Sequence, residues 1–217
     1  MSEQKKLKIK CPKCGKEFET DMWVEINADT DPDLRNQILS RELFKIECPE
    51  CKTIFNLQYP LLYISPVKRY VVLLTDRYNE EIEKEFETRT SQYAIMNYTR
   101  RITGSINDFA EKILIFDGGF SDVAFEFIKS RLYLDGTKKG YKIKNMYYAG
   151  LKDIVTAIFQ FVGPEQKGNI EVPLDQFEAA VRQLPKDLNG YVVNPKTLSQ
   201  WLQEHAPQKP TTTTPTN

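Results

Sequence analysis

Cys11-Pro12-Lys13-Cys14 and Cys48-Pro49-Glu50-Cys51 hold all four cysteines of the 217-residue chain. C-x-x-C spacing lets two thiols on one tight turn reach the same atom. Two such turns supply the four ligands of a tetrahedral metal site. A redox C-x-x-C is the competing reading. It requires the first cysteine at a helix N-terminus within a βαβ pattern, whereas both tetrads here lie between strand patterns. Four ordinary buried cysteines would rarely fall by chance into two C-P-x-C tetrads. The candidate metal ligands are therefore Cys11, Cys14, Cys48 and Cys51, with one zinc ion expected and iron as the alternative. Four thiolates leave no coordination position for water or substrate, so the expected role is structural.

Working outward, Lys5 to Lys10 alternates Leu7 and Ile9 with lysines, the period-two pattern of a half-buried strand. Glu17 to Ile26 alternates again, with Phe18, Thr20, Met22, Val24 and Ile26 on one side. Asp31-Pro32 signals a helix start, an Asx N-cap followed by proline at N1, and the spacing predicts a helix over 32–41. Leu43–Glu47 and Thr53–Leu57 read as strands entering and leaving the second tetrad. Strand–knuckle–strand, a helical insert and strand–knuckle–strand make a zinc-ribbon-like unit over about 5–57.

The next segments read less uniformly. Leu61–Ile64 and Tyr70–Leu74 are strand-like. The acidic stretch 79–90 is a solvated helix or a loop, and 92–102 is expected to be a strand. Ser105 and Ser121 read as caps of two helices, the first ending at Gly118-Gly119. The second bears apolar residues on more than one face, so it is expected to be buried, and to close at Asp135-Gly136. A β-rich part follows. Strands at 141–149 and 153–162 are expected to turn at Gly150-Leu151-Lys152, with a third strand at 169–172. Helices follow over 174–184 and from Asn194-Pro195. Residues 206–217, rich in Thr and Pro, are expected to be disordered.

Composition excludes several classes. Net charge is zero, with 30 basic and 30 acidic residues, so no strong attraction to nucleic acid or anionic membrane is implied. No apolar run approaches a membrane span and no signal peptide is evident, which implies a cytoplasmic protein whose thiols stay reduced. The sole histidine, His205, leaves no Ser-His-Asp or Cys-His pairing to assemble. Asp117 and Asp122 flank the Gly-Gly turn and read as helix punctuation, or as a carboxylate pair. Lys13, Lys16 and Lys52 flank the tetrads, either as solvated lysines or as phosphate contacts. Trp23, Phe18, Phe44 and Phe55 read as a small core around the metal, and Tyr147, Tyr148, Phe159 and Phe161 as sheet core.

The stretches C-P-K-C-G-K-E-F, I-N-A-D-T-D-P-D-L-R, E-L-F-K-I-E-C-P-E-C, Y-P-L-L-Y and E-K-I-L-I-F-D-G-G-F-S-D together resemble the bacterial and archaeal CpXC domain, over about 9–134. The resemblance implies metal binding by the four cysteines. The first tetrad with Gly15 also resembles a rubredoxin knuckle. Lys52 replaces the glycine that often follows the second tetrad in the family, so the second knuckle is expected to be the less regular half. The expected architecture is α+β: the zinc-ribbon-like unit, then helices, then a β-rich antiparallel part over 140–205. The expected function is a structural metal-site protein, more a scaffold for a protein partner than an enzyme. The alternatives are a carboxylate-based enzyme or accessory subunit, and nucleic-acid binding through the ribbon lysines.

Overall fold

The computed structural model describes residues 1–185, 188 and 190–205; the tail expected over 206–217 lies outside them. The architecture is α+β. A lysine-rich strand β1 (Glu3–Lys10) pairs antiparallel with β2 (Glu17–Asn27), the first tetrad forming the tip of this hairpin. The register sets Lys6 opposite Asp21, Lys8 opposite Glu19 and Lys10 opposite Glu17. Opposite charges facing each other across a strand pair stabilise that register. Helix α1 (Pro32–Leu39) and a 3-10 turn (Glu42–Phe44) lead to the short hairpin of β3 (Lys45–Glu47) and β4 (Ile54–Asn56), whose tip is the second tetrad.

The chain then returns to the sheet that β2 began. β5 (Leu61–Ser65) runs parallel to β2, β6 (Tyr70–Leu74) antiparallel to β5, and β7 (Thr99–Thr103) parallel to β6. The sheet order is β1-β2-β5-β6-β7. Each parallel pair needs a crossover, and each crossover carries helix: α1 for the first, α2 (Glu80–Arg89) and α3 (Ser91–Ile95) for the second. All five residues of β5 are buried, because both sheet faces are covered. Leu61, Tyr63, Tyr70, Val72 and Leu74 face a core with Leu34, Ile38, Phe44, Tyr59 and Phe109. Leu62, Ile64, Val71 and Ile102 face Phe86 on α2, with Tyr93, Tyr98, Tyr191 and Val192 packed alongside.

Helix α4 (Ile106–Asp117) lies on the first of these faces and is followed by α5 (Asp122–Lys138). The serine caps form as the sequence implies: Ser105 Oγ accepts the Asp108 N–H at 3.1 Å and Ser121 Oγ the Ala124 N–H at 3.4 Å. Strands β8 (Asn145–Asp153), β9 (Thr156–Val162) and β10 (Lys167–Pro173) form an antiparallel sheet in the order β10-β9-β8. Its inward residues Met146, Tyr148, Phe159 and Val172 join the α4–α5 core, with Phe177 from α6 (Asp175–Gln183). Helix α7 (Pro195–Glu204), opened by a capping box between Asn194 and Thr197, packs Leu198 against Val123 of α5.

Four local expectations change. Residues 92–102 do not form one strand: the acidic helix continues into α3, and Asn97, with φ +56°, turns the chain into β7. Aromatic and β-branched content favours strand throughout, but Tyr93 and Tyr98 instead pack beneath the sheet. Gly136 does not end α5. It lies inside the helix, where a Cβ would come within 2.7 Å of Ile143 Cδ1, so it serves close packing. The β8–β9 turn falls at Ile154-Val155, because Gly150 (φ +125°) forms a bulge within β8. Asp31 stands at the α1 N-cap without capping it; its carboxylate accepts Ser2 Oγ at 2.6 Å and Thr30 Oγ1 at 2.7 Å, tying the N-terminus to the helix start.

The α4–α5 layer encloses charge. Arg101, Lys112, Lys129, Glu111, Asp122 and Glu126 are all 4% exposed or less. Asp122 takes Arg101 Nε at 2.8 Å and Lys112 Nζ at 3.0 Å. Glu126 takes Lys112 at 3.1 Å and Lys129 at 2.9 Å, and Glu111 takes Lys129 at 2.8 Å. The other Glu111 oxygen accepts the Tyr148 N–H of β8 at 2.6 Å, so the chain of charges ends on the edge strand of the third sheet. Burial alone would raise the Asp122 carboxyl, but Lys112 and Arg101 outweigh it and hold it at about 2. Its contribution to stability is therefore full above the ordinary carboxylate range and lost as pH falls through about 2. A carbon-detected titration should show Asp122 ionised well after exposed carboxylates have protonated; titration near 4 would refute the pairing. Lys129→Met should destabilise the fold by about 3–5 kcal/mol in denaturant unfolding at neutral pH, since it leaves Glu111 and Glu126 buried without a shared cation. Burial already raises the Glu111 pKa, so the variant's deficit should shrink as pH is lowered and a carboxylate protonates.

Candidate metal centre

The two tetrads meet. The four sulfurs all lie within 4.8 Å of one another, a set that could hold a metal ion. Cys11 Sγ is 3.7 Å from Cys51 Sγ, and Cys14 Sγ is 3.7 Å from Cys48 Sγ. A metal–sulfur bond of about 2.3 Å in a tetrahedron sets sulfurs about 3.8 Å apart along each edge. A disulfide would hold them at about 2.05 Å, and all four cysteines are free. The spacing thus fits a tetrahedral tetrathiolate.

Matching hydrogen bonds build the two knuckles. Cys11 N–H donates to the Lys16 carbonyl at 2.9 Å and Gly15 N–H to the Cys11 carbonyl at 3.0 Å. Cys48 N–H donates to the Thr53 carbonyl at 3.0 Å and Lys52 N–H to the Cys48 carbonyl at 3.0 Å. Gly15 has φ +72° and Lys52 φ +56°. The expected irregularity of the second knuckle is therefore absent from its backbone. Lys52 adopts the left-handed conformation that glycine takes at Gly15, and its ammonium lies 3.6 Å from the Glu47 carboxylate.

These turns aim N–H groups at the sulfurs. The Cys14 N–H lowers the Cys11 pKa. Thr53 acts on Cys51 through its hydroxyl, 3.3 Å away, and its backbone N–H, which together bring that thiol down to about 6. At Cys14 the Lys16 N–H also pulls downward, but desolvation and the neighbouring sulfurs outweigh it and carry the thiol up to about 12. Without a cation, the quartet cannot ionise fully at such short range. Thr53 is the residue of this site that the cysteine pattern does not announce; the signal available is a hydroxyl two positions after the last cysteine.

A model of the CpXC protein family matches residues 9–129, more than half of the chain. The chain belongs to the CpXC family. No curated protein and no solved structure matches it. The match spans both knuckles, the end of β1 with the other four strands of the five-stranded sheet, α4 and the first half of α5, and it ends at Lys129, one of the buried charges.

The remaining candidates lie elsewhere. Asp117 accepts the Tyr70 hydroxyl at 2.7 Å and pairs with Arg35, and Asp122 belongs to the buried charge chain. Each carboxylate is thus already neutralised by its own basic partner. His205 stacks on Trp201 with ring centroids 4.3 Å apart. Lys13 and Lys16 are exposed. Phe44 is buried against Tyr59 and Phe109 in the main core, whereas Phe18, Trp23 and Phe55 are half-buried. Among the described residues, no helix is long and apolar enough to cross a membrane.

The matched knuckles make a paired prediction. A Cβ on Gly15 has space around it, so Gly15→Ala should cost only the left-handed backbone penalty, about 1 kcal/mol. Lys52→Gly removes the same penalty and should stabilise by up to about 1 kcal/mol, less the added freedom of its unfolded chain. Denaturation of the protein as isolated measures both; a destabilised Lys52→Gly would show that the lysine side chain outweighs its backbone.

Proposed function

We propose that Cys11, Cys14, Cys48 and Cys51 hold one zinc ion as a structural clasp, in a cytoplasmic scaffold that presents a surface to a protein partner. The sulfur spacing carries the reading: two 3.7 Å contacts between knuckles match a tetrahedral edge. The ion supplies a cross-link between two hairpin tips. Four thiolates complete its coordination, which favours architecture over catalysis. Zinc is favoured over iron because Cys14 is exposed and Cys51 half-buried. A solvent-facing tetrathiolate suits an ion without redox chemistry.

A protein partner is favoured over nucleic acid by the disposition of the lysines. Lys6, Lys8 and Lys10 stand opposite carboxylates, and Lys52 lies beside Glu47. Phosphates would have to displace those acids, and the charge released per contact would be small.

Elemental analysis of the colourless purified chain should give one zinc per molecule; visible absorbance with stoichiometric iron would replace the metal assignment. Cys48→Ser should lose the metal, with amide protection falling in β1, β3, β4 and both tips while β5 to β9 stay protected. Unchanged protection around the tetrads would remove the clasp. Affinity capture with and without chelator reads the partner: identical capture in both would separate the partner surface from the metal.

A further inference from the structure

The four sulfurs are chemically unequal. Cys11 and Cys48 are 1% and 0% exposed, sealed behind their knuckles. Cys51 is half-buried and its sulfur lies 3.3 Å from the Thr53 hydroxyl. That thiol donates to the Thr53 hydroxyl oxygen; once the sulfur is ionised, only the hydroxyl has a proton to offer, and turning it to the thiolate draws on the electron pair an electrophile would take, so Thr53 shields Cys51 electronically as well as sterically. Cys14 is exposed. Among the described residues, its sulfur meets the Lys16 backbone N–H and the other three sulfurs. Of the two sulfurs not sealed behind the knuckles, it is the more accessible and the one without a side-chain hydroxyl beside it.

We infer that Cys14 is a modification site, the sulfur at which a hydroperoxide enters this centre, and that Cys48 resolves the product as a disulfide between the knuckles. The inference rests on the zinc-clasp reading. In the first step the Cys14 thiolate donates an electron pair to the terminal peroxide oxygen. A sulfur–oxygen bond forms, the oxygen–oxygen bond breaks, and alkoxide or hydroxide leaves and takes a proton from water. In the second step the Cys48 thiolate, 3.7 Å from Cys14 in the structure, attacks the sulfenic sulfur. The sulfur–sulfur bond forms and hydroxide leaves, to be protonated to water. Two thiolates lose two electrons in total and one hydroperoxide gains them.

Closing 3.7 Å to a disulfide length requires the sulfurs to approach by about 1.7 Å. Cys14 is the member free to move, since Cys48 is enclosed. The product would span the same two hairpin tips that the ion joins, linking positions 34 residues apart. Oxidation would thus exchange a metal cross-link for a covalent one, keeping the tips together while two of the four ligands are withdrawn.

The test uses the full metal-loaded chain. Metal content is measured first and reads the zinc proposal by itself; a chain isolated without tightly held metal would overturn both readings. Brief iodoacetamide labelling with peptide mapping should then show Cys14 modified at least about tenfold faster than Cys11 or Cys48. Thr53→Val should raise Cys51 labelling several-fold while leaving the Cys14 rate unchanged, an effect that a purely structural threonine would not produce. A small excess of hydrogen peroxide should release one metal per disulfide, with Cys14–Cys48 as the linked pair. Metal present but labelling led by another cysteine would overturn the entry site. A Cys11–Cys14 or Cys48–Cys51 disulfide would overturn the resolving role of Cys48, and retained metal with no oxidised sulfur would overturn the inference as a whole.

Discussion

Four sulfurs within 4.8 Å of one another impose a charge problem that the polypeptide answers only in part. Backbone N–H groups of the two knuckles face the thiols, and Thr53 adds a hydroxyl, yet the thiols split into lowered and raised members instead of ionising together. A cation held by the four sulfurs would resolve that conflict, and their spacing is one that could hold a metal ion. Everything in the first sixty residues is arranged to bring the tetrads to this point. The β1–β2 register sets one tip, the α1 insert carries the chain across, and the β3–β4 hairpin sets the other.

The centre is not an isolated appendage. Strand β2 bears the first knuckle at one end and pairs with β5 at the other through Glu25–Asn27. The second knuckle is anchored by Phe44, fully buried against Tyr59 and Phe109, with the Leu57 N–H donating to the Phe44 carbonyl at 2.9 Å. Both halves of the clasp are therefore tied to the five-stranded sheet by separate routes. The ion would join two elements that already share a core, and its contribution falls on the tips, where apolar burial is thin. Only Cys11 and Cys48 are buried there; Lys13, Cys14, Gly15 and Lys52 are exposed.

The sequence carried this centre more clearly than the rest because its signals are local. C-x-x-C spacing, alternating strands, and serines or asparagine before helices each depend on a few adjacent residues, and the tetrads, most strands of the three sheets and the caps of α4, α5 and α7 follow from them. Glycine was less informative. Gly136 and Gly150 look alike in sequence, but one admits Ile143 inside a helix and the other bends a strand. Lys52 shows the converse, taking a left-handed conformation because the knuckle hydrogen bonds require it. The buried charges were the least legible. Partners such as Arg101 and Asp122, or Lys129 and Glu111, are distant in sequence. A hint existed all the same: the first half of α5 is apolar on more than one face, and its charged residues Asp122, Glu126 and Lys129 are buried with it, whereas Arg131, Asp135 and Lys138 further along are exposed.

That charge chain explains how the β-rich part is joined to the CpXC region. An apolar contact between α4 and β8 alone could slide, because hydrophobic burial is non-directional. Glu111 cannot slide: one oxygen holds the Lys129 ammonium and the other the Tyr148 N–H. Displacing β8 by one residue would orphan a buried carboxylate oxygen and a buried backbone donor together, at a cost of about 1–3 kcal/mol for each group. Glu111 is in turn held by Lys129 and, through Glu126, Lys112 and Asp122, by Arg101 on β7. The directional link thus runs from the edge of the central sheet, through the helical layer, to the edge of the third sheet. A metal held by the four cysteines would play at the knuckles the part that the ion pairs play in the helical layer: each replaces a contact that could drift with one whose geometry admits few alternatives.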